Sequence, residues 1–234
     1  MLDLTRIRAI SIDLDDTLWP IAPTLRNAER VLLAWLAAHA PQTAVLCRDR
    51  SVLAQARTAV AQAHPDRVHD MSFLRLESLR WALRCAAEDA ALAEPAFEVF
   101  FAERQRVTLF DDALPALALL RARWPVVALS NGNADVHRAG LGAYFSAAIS
   151  AREVGVAKPD ARIFHAAAAA AGVAATEMLH VGDDAELDGV GALAAGLQVA
   201  WVNRAGVGWP HSASPTLEVS GLDALCSALE LAGR

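Results

Sequence analysis

Three features of the sequence predict an α/β fold, a doubly wound Rossmann-like parallel sheet with an inserted all-helical cap domain. Short apolar runs alternate with helical segments through the second half of the chain. A further apolar run lies near the N-terminus, and about ninety residues of helical periodicity follow it. Alternating strands and helices are typical of βαβ units, which build parallel sheets.

Five apolar runs have the length and composition of strands that are buried on both faces. They are residues 7–12, 126–129, 147–150, 178–181 and 197–202. Helical segments are predicted between them at residues 134–141, 160–171 and 187–195. Since open α/β sheets bind ligands at the C-terminal ends of their strands, the residues that follow these runs are the candidates for a site.

The segment that follows the first strand has a different pattern. Four apolar stripes with helical spacing begin near Leu25, Val52, Phe73 and Phe97. We therefore expect a core domain made of residues 1–20 and 109–234, and a helical cap domain made of residues 21–108. Such a cap is expected to cover the strand ends. A helical domain that packs elsewhere is the alternative.

Composition limits the function classes. The chain has 234 residues, is 55% hydrophobic and carries a formal charge of −6, which argues against a nucleic-acid-binding surface. Its three cysteines form no CxxC pair, so we expect reduced thiols in a cytoplasmic protein. No signal-peptide pattern or membrane-spanning run is present, and no membrane partner is expected. A monomer or small homo-oligomer is expected.

Two carboxylates stand directly after the first predicted strand, at Asp13 and Asp15. Side chains two residues apart on an extended chain point the same way, so the two carboxylates share one site if the strand geometry persists. At a separation of about 4 Å they would repel by roughly 4 kcal/mol at an effective dielectric near 20. The pair therefore indicates a bound cation, a shared proton, or both.

Three other strand ends carry polar groups of complementary chemistry. Ser130 and Asn131 follow the second strand, Lys158-Pro159 follows the third, and Asp183 and Asp188 follow the fourth. We expect the proline to start the next helix. The carboxylates offer hard oxygen ligands that suit Mg²⁺. The hydroxyl, the backbone N–H groups near Asn131 and the ammonium offer donors for a phosphate. Together they fit phosphoryl transfer, in which a carboxylate can be the nucleophile.

These motifs, taken in order, resemble those of the haloacid dehalogenase superfamily of phosphatases. Asp13-Leu14-Asp15-Asp16-Thr17 is similar to its first motif and Ser130-Asn131 to its second. Lys158-Pro159 is similar to the third, and Gly182-Asp183 with Asp188 to the fourth. The helical insert matches the position of the family's cap, so the resemblance covers nearly the whole chain.

The resemblance implies a role for each site residue. Asp13 would be the nucleophile, and Asp15 the general acid and then the base. Mg²⁺ would be held by Asp13, the backbone carbonyl of Asp15, and Asp183. Ser130, Asn131 and Lys158 would bind the phosphate. Asp188 would also belong to the metal site. Its expected role there is to orient a metal-bound water or Lys158 and not to bind the metal directly. Thr17 would brace the nucleophile loop, and Asp184 would either support the site or cap a helix.

Within that family, residues 124–134, 140–145 and 180–184 resemble bacterial phosphatases of flavin mononucleotide, which also act on the phosphorylated ribitylaminouracil of riboflavin synthesis. A small-molecule phosphate of that kind is therefore the expected substrate. A phosphatase of another sugar or nucleotide phosphate is the alternative, and a haloacid dehalogenase is a further one, which would not need Asp15 or Mg²⁺.

Other functions fit the sequence less well, and several further residues have two possible roles. A mutase would need cap residues that the sequence does not identify, and a non-catalytic interaction protein would tolerate loss of the motif residues. A dinucleotide-binding site at residues 189–194 would place a pyrophosphate beside several carboxylates, so we interpret those glycines as positions of close helix packing. Trp19 either lines the site or packs in the core. Arg75, Arg80 and His69 either reach the substrate or lie on solvated faces.

Overall fold

The computed structural model describes residues 2–231, apart from the side chains at positions 50, 230 and 231. It divides into two compact units, Ile21–Val107 and the described residues on either side of that segment. The first unit is all-helical and follows the first strand of the second, which is an α/β unit. The predicted fold class is confirmed.

The sheet has six strands, and every pair of neighbours is parallel. Its order is β3-β2-β1-β4-β5-β6. The strands are β1 (Ala9–Ile12), β2 (Val126–Ser130), β3 (Ala147–Ser150), β4 (Met178–Gly182), β5 (Gln198–Val202) and β6 (Leu217–Val219). The first five correspond to the predicted apolar runs. The sixth has only three residues, with a glutamate in the middle, and shows no apolar run in the sequence.

The inserted unit contains five helices. They are α1 (Ile21–His39), α2 (Pro41–Leu46), α3 (Arg50–Ala63), α4 (Met71–Cys85) and α5 (Ala93–Arg104). Helix α1 packs on α2 and α5, and α4 packs on α3 and α5. Leu32, Leu36, Leu79 and Phe100 are buried at the centre. The sequence pattern did not predict the short α2, whose six residues are too few to show a helical stripe.

The α/β unit adds α6 (Ala113–Arg121), α7 (Ala151–Val154), α8 (Ala161–Ala170), α9 (Gly191–Ala194) and α10 (Leu222–Leu231). Helix α8 lies against β1, β2 and β3 and buries Ile163 and Phe164. Ile10 and Ile12 point to one side of β1 and Ala9 to the other, and all three are fully buried, so both faces of the sheet are covered at this strand. Within residues 2–231, no helix combines the length and the apolar character needed to cross a bilayer.

Two of the predicted helical segments differ in the structure. Residues 136–140 form turns, because the Asp135 carboxylate accepts the backbone N–H groups of His137 and Arg138 and Gly140 has a φ of +78°. The segment from Ala185 to Val190 is a π-helical turn that leads into α9. The side chain of Asp184 accepts the backbone N–H groups of Glu186 and Leu187 and so caps that turn.

The prediction that Pro159 starts a helix was wrong. Asp160 is the N-cap of α8, and its carboxylate accepts the backbone N–H of Arg162, so the helix begins one residue beyond the cap, at Ala161. Pro159 instead follows a cis peptide bond with Lys158. Its ring packs where Gly191 has no side chain, since a Cβ on Gly191 would lie 2.8 Å from the Cβ of Pro159.

Candidate active site

Backbone hydrogen bonds position the loop after β1. The N–H of Asp13 donates to the carbonyl of Val181 over 2.8 Å, so Asp13 lies just beyond the C-terminal end of β1 and beside the end of β4. The chain then turns, with the N–H of Asp16 donating to the carbonyl of Trp19 over 2.7 Å. Asp16 has a φ of +60°, a conformation that aspartate tolerates better than most residues. Strand β1 itself ends at Ile12, and Asp15 forms an isolated backbone bridge with Trp19.

Lys158 is the only lysine in the sequence, and its side chain is 97% buried at the C-terminal ends of the strands. Its ammonium lies 2.5 Å from Oδ1 of Asp13 and 2.6 Å from Oδ1 of Asp188. It also donates to the carbonyl of Leu129 over 3.3 Å. The three partners come from distant parts of the chain, so a single cation joins the ends of β1 and β2 to the segment after β4.

The end of β2 positions this lysine. The side-chain amide of Asn131 donates to the carbonyl of Lys158 over 3.0 Å, and its oxygen accepts the N–H of Lys158 over 2.7 Å. The Asn131 side chain thus holds the lysine backbone. Ser130 is buried, and its hydroxyl oxygen accepts the N–H of Gly132 over 2.9 Å. Asn131 therefore contacts Lys158 directly, and Ser130 precedes it as the last residue of β2.

Asp183 and Asp188 follow β4 and have different environments. The hydroxyl of Thr17 donates to Oδ1 of Asp183 over 3.1 Å, and the indole of Trp201 donates to the Asp183 carbonyl over 2.7 Å. Asp188 accepts hydrogen bonds from Lys158 and from the N–H of Asp184. Its carboxylate occupies the space that a side chain on Gly182 would need, because a Cβ there would lie 2.3 Å from Cγ of Asp188.

Carboxylate oxygens of Asp13, Asp183 and Asp188 lie within 4.8 Å of one another. Burial, with a further contribution from Asp188, raises the pKa of Asp183 to about 7. Burial also raises the pKa of Asp13 well above its usual range, although Lys158 opposes this effect. Burial disfavours the charged forms of Asp13 and Asp183, and a divalent cation beside this group of carboxylates would supply positive charge that stabilises them.

Asp188 has the opposite electrostatic character. Burial disfavours its charged form, but Lys158 and a hydrogen bond from His180 outweigh burial and hold its pKa well below the usual range. The pairing also shifts the pKa of Lys158. Burial lowers this pKa, but the charges of Asp13 and Asp188 more than offset burial and raise it. Lys158 and Asp188 therefore form a permanently charged pair within the site.

His180 is a site residue that sequence reasoning missed. It lies on β4, fully buried, with Nε2 3.0 Å from Oδ1 of Asp188 and Nδ1 2.9 Å from the hydroxyl of Ser11. Burial lowers its pKa, so the ring is neutral at physiological pH. A carboxylate can only accept, which assigns the proton to Nε2 and leaves Nδ1 to accept from Ser11. A polar residue within an otherwise apolar strand, two residues before Gly182, was the available signal.

Trp19 and Arg204 also support the first loop. Trp19 is fully buried, and its indole donates to Oδ1 of Asp15 over 2.8 Å. Arg204 donates to the carbonyl of Thr17 over 3.1 Å and to both carboxylate oxygens of Asp112 over 2.9 and 3.0 Å. No motif in the sequence marked Arg204, because its partners lie 92 and 187 positions away.

The structure thus brings most of the predicted residues together. Asp13, Lys158, Asp183 and Asp188 form one cluster, with Ser130 and Asn131 beside it. The carboxylate of Asp15 is bonded to Trp19 at the same strand end. The remaining candidates lie on the inserted helical unit, where Arg80 is paired with Glu77 and Glu94, and Arg75 stacks on the ring of Phe100 at 4.0 Å.

Comparison with known proteins gives a consistent result. A family model described as a haloacid dehalogenase-like hydrolase matches residues 7–196. The 5-amino-6-(5-phospho-D-ribitylamino)uracil phosphatase of Escherichia coli is 34% identical to this chain, over 97% of this chain and 98% of that protein. A phosphoserine phosphatase of Thermus thermophilus is 40% identical over 61% of this chain and 60% of its own length.

Solved structures agree at the level of the fold. A 2-haloacid dehalogenase from Pseudomonas syringae has a TM-score of 0.89 and 35% identity, over 96% of this chain and 99% of that chain. The HAD-hydrolase YfnB of Bacillus subtilis, in a form bound to magnesium, has a TM-score of 0.70 over 96% of this chain and 99% of that chain. Since it is only 18% identical, it shows likeness of fold alone.

Proposed function

This chain belongs to the haloacid dehalogenase-like hydrolases and is a phosphatase of that family, and on that premise we propose that it hydrolyses a phosphomonoester through an aspartyl-phosphate intermediate. The observation that carries the proposal is the buried cluster at the strand ends, in which Lys158 lies between Asp13 and Asp188 and Asp183 completes a group of three carboxylates.

In the first step an oxygen of Asp13 attacks phosphorus, and the bond from phosphorus to the leaving oxygen breaks. Asp15 donates a proton to that oxygen, so the alcohol leaves neutral. In the second step Asp15 takes a proton from water, which attacks the phosphorus and releases inorganic phosphate and the Asp13 carboxylate. The hydrogen bond from Trp19 supports this assignment, because it fixes the orientation of the Asp15 carboxylate at the strand end.

Lys158 and Ser130 are proposed to bind the phosphoryl oxygens, together with the backbone N–H groups near Asn131. Lys158 supplies a cation that stays protonated, which offsets the negative charge gathered around phosphorus. The side chain of Asn131 already accepts from and donates to the backbone of Lys158, so we assign it the role of holding that lysine in place.

The cluster of carboxylates fits a divalent cation, and Mg²⁺ is the proposed one. Asp13, the backbone carbonyl of Asp15 and Asp183 would hold it. When bound, it would supply positive charge that lets a phosphate approach several carboxylates. Asp188 is assigned to Lys158 instead, because its carboxylate already accepts from Lys158, His180 and the N–H of Asp184.

The proposed substrate is flavin mononucleotide or the 5-phosphate of 5-amino-6-ribitylaminouracil. The support for this choice is the 34% identity to the Escherichia coli phosphatase, which extends over nearly the full length of both proteins. Both compounds carry their phosphate on a ribityl chain attached to a flat ring system. A primary alkoxide is a poor leaving group, so these substrates depend strongly on the acid function of Asp15.

A substrate screen tests the proposal. Flavin mononucleotide, the ribitylaminouracil phosphate, a sugar phosphate and a nitrophenyl phosphate are compared with Mg²⁺ and with EDTA. We expect Mg²⁺-dependent release of phosphate, fastest from the two ribityl phosphates. Asp13→Asn should reduce kcat by about 10³-fold or more, whereas Asp16→Asn, the same change at an exposed position of the same loop, should retain activity. Full turnover by Asp13→Asn would disprove the nucleophile.

A haloacid dehalogenase is the second candidate function, favoured by the 35% identity to the Pseudomonas syringae structure. In that reaction Asp13 would attack carbon and expel a halide, with no acid required at the leaving group. Chloride release from 2-chloropropionate, measured beside phosphate release, separates the two functions. Dehalogenation that is unaffected by EDTA and by Asp15→Asn, without phosphatase activity, would favour the second candidate. The predicted cytoplasmic location and oligomeric state stay predictions.

A further inference from the structure

The inserted helical unit contains a cavity of about 490 Å³. Every lining residue that the structure describes belongs to Ile21–Val107, and none of these belongs to the strand-end cluster described above. A volume between about 300 and 1,000 Å³ is typical of sites for small organic molecules. Residues of α1, α3 and α4 form most of the lining, and Cys47 and Arg48 come from the segment between α2 and α3.

The lining combines apolar surface with positive charge. Its buried residues include Leu32, Cys47 and Ser78, and Leu33 and Leu53 are partly buried. Twelve described residues line the cavity, and five of them are arginines, namely Arg26, Arg30, Arg48, Arg57 and Arg75. Glu29 is the one acidic residue among those twelve. Because four of the five arginines are exposed and the leucines are not, the charge lies at the mouth and the apolar surface lies deeper.

Three arginines of the unit outside the cavity are ion-paired. Arg67, Arg80 and Arg106 each form an ion pair with an acidic residue. Within the described residues, none of the five cavity arginines lies within ion-pair distance of a carboxylate. Arg30 donates to the neutral oxygen of Asn27. The segment 21–107 has eleven arginines and ten acidic residues. Among the residues that the structure describes, five arginines without an ion pair therefore line one cavity in a unit where acidic residues are nearly as numerous as arginines.

The charged form of Arg75 is disfavoured by its surroundings in the cavity. It is partly buried and lies over the ring of Phe100 at 4.0 Å. Burial lowers the pKa of its guanidinium to about 10, and the charges of Arg57 and Arg104 act in the same direction against the opposing effect of Glu29. Like charges held near one another are unfavourable unless an anion lies between them.

We propose that this cavity binds a small organic anion, with its apolar body against the leucines and its charged group among the arginines. Guanidinium groups bind carboxylate, sulfonate and phosphate oxygens through paired hydrogen bonds, which matches their concentration at the mouth. The proposal goes beyond the function proposed above, because it concerns the helical unit and uses no residue of the catalytic cluster.

Binding of 8-anilinonaphthalene-1-sulfonate, an aromatic sulfonate, to the full chain tests this site by fluorescence titration. We expect saturable binding of one molecule per chain. Arg57→Gln should weaken binding about tenfold by removing one charged hydrogen-bond donor, and Arg57→Glu should weaken it further. Arg84→Gln, an exposed arginine of α4 outside the cavity, is the matched control and should bind as the unmodified chain does.

A neutral ligand of similar shape separates the electrostatic contribution to binding from the hydrophobic one. N-phenyl-1-naphthylamine lacks the sulfonate, so Arg57→Gln should leave its affinity unchanged. Equal affinity of the sulfonate for the unmodified chain, Arg57→Gln and Arg57→Glu would overturn the proposal. Equal weakening by Arg57→Gln and Arg84→Gln would also overturn it, since the effect would then come from the overall charge of the unit. Circular dichroism confirms that each variant is folded.

Discussion

The indole of Trp19 donates a hydrogen bond of 2.8 Å to Oδ1 of Asp15, and the two residues are joined by a backbone bridge across the same turn. Trp19 is fully buried, whereas Asp15 is partly exposed. The carboxylate that we propose as general acid is therefore hydrogen-bonded to a buried side chain, which fixes its orientation. A general acid depends on its orientation toward the leaving oxygen, so this bond bears directly on the rate.

Trp19→Phe should keep the aromatic packing and remove the hydrogen bond. We expect kcat for an alkyl phosphate to fall by about tenfold, since proton donation contributes about 10²–10⁴-fold in all. The kcat for a nitrophenyl phosphate, whose leaving group needs little protonation, should change much less. Trp124→Phe, which removes an indole hydrogen bond to the carbonyl of Ile7, is the control. Equal losses for both substrates would contradict the assignment of Asp15.

Lys158→Met should destabilise the protein by about 3–5 kcal/mol, because it leaves Asp188 as a buried charge without its cation and Asp13 without its hydrogen-bond donor. Urea unfolding at neutral pH measures the loss. Arg162→Met breaks the exposed ion pair with Asp160 and should cost at most about 1 kcal/mol. A similar small cost for both substitutions would show that the buried pairing contributes little to stability.

Gly182→Ala should disturb the site through packing alone. The added methyl would meet the carboxylate of Asp188 and push it away from Lys158 and His180. We expect a loss of about 1–3 kcal/mol in the free energy of unfolding, together with lower activity. Gly208→Ala is the matched control, since nothing lies within 4 Å of a Cβ there. A Gly182→Ala variant as active and stable as the unmodified chain would contradict the close packing.

The metal-free protein should lose stability as pH rises toward neutrality because of Asp183. Its folded-state pKa of about 7 exceeds the ordinary value of 3.8, so between these values the folded chain holds a proton that the unfolded chain has released. The contribution to the free energy of unfolding is therefore full below about pH 4 and is lost as pH rises through about 7. Unfolding in EDTA, compared between the unmodified chain and Asp183→Asn, isolates this contribution. Identical pH profiles would refute it.

Added Mg²⁺ should restore that stability. At pH 8 the ionised Asp183 is available as a ligand, and a ligand that binds only the folded state raises the unfolding midpoint with its concentration. We expect a clear increase for the unmodified chain at pH 8, a smaller one at pH 5.5, and almost none for Asp183→Asn. Ca²⁺ and Na⁺ at matched ionic strength are the controls for general salt effects. An equal increase for Asp183→Asn would place the cation elsewhere.

Much of the fold was predictable because its signals are local. The strands β1 to β5 are apolar runs of four or five residues, buried on both faces apart from β3, and each stands out from its polar surroundings. β6 and α2 were not predicted, since three and six residues are too few to show a period. The segment 134–141 has helical composition, but the Asp135 side chain competes for its backbone N–H groups.

The sequence by itself determined the α/β class, the helical insertion after β1, and the chemistry that stands at each strand end. These depend on short-range patterns, which the sequence displays directly. Only the tertiary structure decided that Lys158 is shared between Asp13 and Asp188, that His180 and Trp19 orient the carboxylates, and that five arginines gather around one cavity. Such contacts join residues up to 145 positions apart. These side chains come within hydrogen-bond and electrostatic range of one another only when the parallel sheet and the helices have packed.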